Sequence, residues 1–91
     1  MEKVIIAKLT DKDIREKGIP AWPVWEKEVS RFYWEYEEDE ECLVLEGEVD
    51  VETEAGTFTI RKGDFVTFKK GLKCTWDVRK AIRKQYNFPA G

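Results

Sequence analysis

From Glu28 onward, apolar and polar residues alternate with a period of two. Phe32, Trp34 and Tyr36 alternate with Arg31, Glu35 and Glu37, and Val49, Val51 and Thr53 alternate with Asp50, Glu52 and Glu54. This period marks strands that turn one face to a core and the other to water, and it does not fit a helix. Ala55-Gly56 separates Val49 to Glu54 from Thr57-Phe58-Thr59-Ile60, the spacing of a hairpin whose turn needs a positive φ. Further turns are predicted at Lys62-Gly63-Asp64 and Lys69-Lys70-Gly71. Short strands separated by glycine-bearing turns favour an antiparallel barrel or sandwich over a βαβ sheet.

The N-terminal part follows a different pattern. Thr10-Asp11-Lys12-Asp13-Ile14-Arg15-Glu16-Lys17-Gly18 opens on a residue able to cap a helix and closes on a glycine able to end one, which predicts one short helix. Pro20 and Pro23 then predict an extended crossing segment, Ile19 to Trp25, with Trp22 and Trp25 covering an open end of the barrel. Residues 1–25 are thus read as strand, helix and covering segment, and residues 26–88 as the barrel of a single domain.

Composition narrows the functional classes. A chain of 91 residues accommodates one domain with a modest core. Charged residues make up 38% and hydrophobic ones 42%, too apolar for disorder and too interrupted by charge for a membrane span. The net charge of -3, with both signs interspersed, provides no basic stripe to release counterions from a polyphosphate, so nucleic acid is not an expected partner. The N-terminus lacks an export-type apolar core, which makes the cytoplasm the expected location. Cys42 and Cys74 are then read as reduced thiols. The richness in Lys and Glu suits a thermophile.

Two motifs carry a family resemblance. Glu40 followed after six residues by Gly47 matches the second half of the first cupin motif. Gly63, five residues, Lys69, one residue and Gly71 match the second motif, with lysine in place of the usual proline. Together with Trp25-Glu26, Phe32-x-Trp34-x-Tyr36, Glu40-x-Cys42-x-x-Leu45-Glu46-Gly47 and Lys70-Gly71-Leu72-x-Cys74-x-Trp76, these resemble the small cupin branch related to ureidoglycine aminohydrolase and the ethanolamine-utilisation cupin, and within it the stand-alone thermophilic proteins of unassigned function. The resemblance implies an all-β, antiparallel double-stranded barrel of jelly-roll type. It also implies that the positions of the family's metal ligands, two histidines, a glutamate and a third histidine, fall at Trp34, Tyr36, Glu40 and Cys74. The chain contains no histidine. One carboxylate and one thiol do not make the three or four ligands of a zinc site, so no tight metal is expected, with Glu40 and Cys74 as weak candidates only.

Strand parity delineates the same pocket. With Trp34 and Tyr36 inward, Glu40, Cys42 and Val44 share one face, and Cys74, Trp76 and Val78 share another while Lys73, Thr75 and Asp77 face water. A carboxylate among aromatic rings loses hydration and needs a partner, such as Tyr36, an arginine or a lysine, to remain charged. Glu40 is the candidate acid or base. Cys74 is the sharper of two thiols, and without histidine neither has a base to activate it as a nucleophile. Glu26 and Glu28 flank the first barrel strand and could reach the mouth. Arg79, Arg83 and Lys84, with Lys80, form a local basic cluster near the C-terminal strand, which either meets a carboxylate ligand or partner subunit or serves as exposed edge-strand charge against aggregation.

The expected function is a barrel that binds a small polar or amine-containing molecule without a cofactor, through Trp34, Tyr36, Glu40 and Cys74 supported by Phe68 and Trp76. The alternative is an enzyme acting on a small amino or ureido compound, through Glu40 acid/base chemistry or a weakly held divalent metal. A homodimer is compatible with both: Leu43 and Leu45, opposite Glu40, pack either under the N-terminal segment or against a second subunit.

Overall fold

The computed structural model describes residues 2–89. Seven strands form one antiparallel sheet: β1 (Val4–Lys8), β2 (Val24–Lys27), β3 (Ser30–Glu35), β4 (Glu40–Thr53), β5 (Gly56–Arg61), β6 (Asp64–Phe68) and β7 (Lys73–Asn87). The helix α1 spans Asp11–Glu16. The expected antiparallel architecture with one short helix is observed.

The two long strands organise the molecule. The N-terminal half of β4 pairs with β6 through Glu40↔Phe68, and with the C-terminal half of β7 through Val44↔Lys84. Its C-terminal half pairs with β5 and with the N-terminal half of β7 through Val51↔Trp76. Each long strand therefore runs through two strand groups, β1-β6-β4-β7-β2 and β5-β4-β7-β3. The chain bends between them at register shifts from Val44 to Val49 on β4, where bulges turn a strand out of one group and into the other. Gly47 makes the bend possible. Its φ is +97°, and an added Cβ would lie 2.3 Å from the Ala81 carbonyl oxygen, so the two backbones cross where no side chain fits.

Between the facing strands lies the main core, which includes Val44, Val49, Val51, Ile60, Val66, Phe68 and Trp76. A second, smaller cluster occupies the outer side of the sheet. Ile19, Leu43 and Phe65 are buried there beneath Leu9, Ile14, Trp22 and Leu45. The Leu43 face thus packs under the N-terminal segment.

The helix forms where its caps predict. Thr10 Oγ1 accepts from Asp13 N–H at 3.1 Å, Asp13 accepts from Thr10 N–H at 3.0 Å, and Gly18 takes a left-handed conformation after the last turn. Such a cap contributes about 1 kcal/mol. The segment that follows departs from the extended crossing expected for Ile19 to Trp25. Ile19–Ala21 is a 3₁₀ turn, and β2 starts at Val24. Nor do the two tryptophans share a task. Trp22 lies 6.5 Å from Phe65 in the outer cluster, whereas Trp25 lies 5.9 Å from Trp76 inside the barrel. Residues three apart in extended chain point to opposite faces, so no single end can be covered by both.

Candidate functional site

Alternation along β7 determines what lines the barrel interior. Cys74, Trp76, Val78, Ile82 and Lys84 are buried on one face, and Tyr86 follows on it half-buried. From β4 the inward positions before the bend are Glu40, Cys42 and Val44, all buried. These two rows bring Lys84 and Glu40 together across the interior. Lys84 Nζ donates to Glu40 Oε2 at 2.7 Å, with side chains 7% and 9% exposed. Three aromatic rings box the same ammonium, with centroids at 4.7 Å (Trp76), 5.0 Å (Trp25) and 5.9 Å (Phe68). A buried charge survives only when paired and solvated by other groups, and ring faces supply electrostatic attraction of up to about 2 kcal/mol each when desolvated.

Lys84 was expected in a basic cluster that either meets a carboxylate ligand or partner subunit or lies on an exposed edge, and the structure separates it from the other three. The cluster is dispersed. Arg79 bonds Asp50 at 3.1 Å and lies 3.3 Å from Asp77, Arg83 lies 3.3 Å from Glu26, and Lys84 turns inward. Extending the period of two from Cys74 through Trp76 to Lys84 would have placed Lys84 on the inner face. Its charge argued the other way, because lysine is almost never buried unless paired.

Above the ion pair opens a cavity of about 270 Å³, walled by Trp25, Phe32, Trp34, Tyr36 and Trp76 and reaching Tyr86 and Phe88 at one side. Phe32 stacks on Trp76 at 6.0 Å, and Tyr36 stacks on Phe68 at 4.7 Å, with ring planes 8° apart. One polar atom in this wall is unmatched. The Trp76 indole N–H is fully buried without a hydrogen-bond acceptor. It lies near enough to the Tyr36 hydroxyl and the Cys74 thiol to favour their charged forms, yet makes no bond of acceptable geometry to either. A buried unmatched donor costs about 1–3 kcal/mol.

Of the residues read from sequence as binding a ligand, Trp34, Tyr36, Glu40 and Trp76 line this cavity, and Phe68 and Cys74 do not. Phe68 forms the layer behind Tyr36 and beneath Lys84. The Cys74 thiol donates to the Trp34 carbonyl oxygen at 3.6 Å, and burial pushes its pKa up to about 11. Trp34 is 51% exposed and stands at the rim, because β3 pairs only with β7 and its end overhangs the interior. Of the partners considered for Glu40, a lysine, Lys84, is the one that meets it. Glu26 and Glu28 lie away from this mouth, in a shallow cleft with Ile82 and Arg83. Trp25, Phe32, Lys84, Tyr86 and Phe88 are the lining residues that the site reading missed.

The four positions that would hold a metal do not fit one. Glu40 is already neutralised by an ammonium that would also repel a second cation. Burial and the Glu40 carboxylate hold the Tyr36 phenol well above its ordinary pKa, so it offers no phenolate. The Cys74 thiol is engaged and protonated, and Trp34 has no donor atom to offer. Among the described residues, no group of three or more His, Cys, Asp or Glu side chains is placed to hold a metal ion.

A sequence profile of the EutQ-like cupin domain matches residues 15–86. The chain belongs to the EutQ-like cupin family. The cupin is similar over 94% of its length to a DUF861 family protein from Thermotoga maritima, with 49% identity, 99% of that chain covered and a TM-score of 0.91. A putative ethanolamine utilization protein Q from Salmonella typhimurium is 27% identical over 97% of the cupin and 71% of that chain, with a TM-score of 0.67. A DUF861 protein of unknown function from Pseudomonas syringae is 28% identical over 69% of the cupin and 28% of that longer chain, with a TM-score of 0.63. None of the curated proteins compared matches this cupin.

Both cysteines of the cupin are free and buried. Burial raises the Cys42 thiol to about 12, partly offset by the Lys84 charge. Among the described residues, no helix is long and apolar enough to cross a membrane.

Proposed function

We propose that this cupin binds a small, flat, mostly apolar molecule that carries one hydrogen-bond acceptor. The observation that carries the reading is the aromatic cavity floored by the Lys84–Glu40 pair. At about 270 Å³ the cavity suits a single ring with a short substituent. Aromatic walls supply contact area, and the Lys84 donor supplies orientation. A cationic amine is the poorer ligand of those considered from sequence, since Glu40 already has its ammonium and a second one would meet Lys84 head-on. A neutral amide or carbonyl compound meets donors without that repulsion.

The test compares benzamide with benzylamine by calorimetry and tryptophan fluorescence. Saturable binding of benzamide, weakened roughly tenfold by Trp25→Ala as one aromatic wall is lost, is the expected result. Benzylamine binding more tightly than benzamide, or benzamide binding that Trp25→Ala leaves unchanged, would overturn it. The enzyme alternative is supported by one observation, the 2.7 Å Lys84–Glu40 contact along which a proton can pass. On that reading Glu40 acts as acid or base toward an amino or ureido compound, and no step runs through a metal.

A further inference from the structure

We infer that Lys84 captures a small aldehyde or ketone as an imine, making the cavity a carbonyl-reactive site. The inference rests on the cavity being a ligand site and specifies the chemistry of its ligand. Two observations bear on it. First, Lys84 lines the cavity with a side chain only 7% exposed, and desolvated, apolar surroundings are the setting in which lysine acts as a nucleophile toward carbonyls. Second, a carboxylate stands 2.7 Å from the same nitrogen, placed to exchange a proton with it. A carbonyl group offers an electrophilic carbon to the amine.

The step balances within the site. Lys84 passes one proton to Glu40, and its lone pair forms a bond to the carbonyl carbon while the π pair moves to oxygen. The oxygen takes up a proton from the nitrogen to give a neutral carbinolamine. Glu40 then returns its proton to the hydroxyl, the C–O bond breaks, and water leaves. The product is a protonated imine beside the Glu40 carboxylate, with the same net charge as the starting ammonium and carboxylate. The aromatic box that holds the ammonium serves the iminium equally well, since ring faces attract either cation. Tyr36, kept as a neutral phenol by burial, and the surrounding rings limit the water available for hydrolysis.

The other buried nucleophiles do not compete. Cys42 is walled into the core, and Cys74 is turned to the Trp34 carbonyl oxygen. The remaining lysines are exposed or half-buried, so their ammonium groups are hydrated and react at the background rate of surface amines.

Benzaldehyde with cyanoborohydride provides the test on the wild-type cupin at neutral pH. Reduction fixes any imine as a secondary amine, adding one benzyl group per capture, and peptide mapping locates it. Lys84 should be labelled first, roughly tenfold faster than any exposed lysine, and Glu40→Gln should slow that labelling by about the same factor because the proton acceptor is gone. Labelling spread over lysines in proportion to their exposure, with Lys84 among the slowest, would overturn the inference. Saturable benzamide binding alongside unlabelled Lys84 would leave the ligand cavity standing and remove only its carbonyl chemistry. Unlabelled Lys84 without benzamide binding would remove both.

Discussion

Replacing Lys84 with methionine should cost this cupin a large share of its stability, and replacing Glu40 as well should restore part of it. The side chains are 7% and 9% exposed and meet at 2.7 Å, so Lys84→Met leaves a carboxylate facing aromatic rings with no counter-charge. Breaking a buried pair on one side costs about 3–5 kcal/mol. Glu40→Gln is milder, at about 1–3 kcal/mol, because the amide oxygen can still accept from the ammonium and three ring centroids 4.7–5.9 Å away still face it. The double variant carries no buried charge and should be more stable than Lys84→Met alone, which gives a coupling of about 2 kcal/mol or more between the sites. In a domain of this size a loss of about 3 kcal/mol lowers Tm by roughly 12–24 °C. Urea titration of the four proteins measures the cycle, and an unchanged slope shows that the surface exposed on unfolding has not altered. A Lys84→Met cost below about 1 kcal/mol, additive with Glu40→Gln, would refute the reasoning, since that is how a solvated pair behaves.

Gly47→Ala should prevent folding or cost more than about 3 kcal/mol, because a Cβ there meets backbone atoms at 2.3–2.8 Å and the φ is +97°; soluble yield and urea titration test it, and a near-neutral result would mean the strand crossing can open. Alkaline pH should destabilise the protein through Cys42. Its folded pKa of about 12 stands above the unfolded value of 9.0, so the folded state holds the proton longer, stability is intact below about pH 9, and it then falls by about 1.4 kcal/mol per pH unit up to about pH 12. Cys42→Ala should flatten the slope of stability against pH by that amount. Trp76→Phe should change stability by less than about 1 kcal/mol, since relief of the unmatched N–H offsets lost packing; a loss of about 3 kcal/mol would show that the N–H has a partner. Exhaustive chelation should leave Tm unchanged, because Glu40 is bonded to Lys84 and Cys74 to the Trp34 carbonyl oxygen.

Local features of this protein were readable because their causes are local. The Thr10–Asp13 cap, the left-handed Gly18 and the turns at Gly56, Gly63 and Gly71 each depend on residues within a few positions, and the period of two needs only the pleat of a strand. Spacing alone placed Tyr36, Glu40 and Trp76 on inward faces, and all three line the cavity. The separate tasks of Trp22 and Trp25 were legible in principle from their odd spacing, as was the inward parity of Lys84. What no local rule supplied was the partner that makes a buried lysine tolerable. Lys84 and Glu40 are 44 residues apart, and the bend at Gly47 and the register of β4 against β7 decide that they meet. The same packing carried the Trp34 side chain to the rim and the Cys74 thiol to the back of the wall. Sequence determined which residues could face inward, because backbone geometry alternates regardless of context. Tertiary structure decided which of them share a cavity and in what charge state, because desolvation and pairing exist only once distant strands have closed around them.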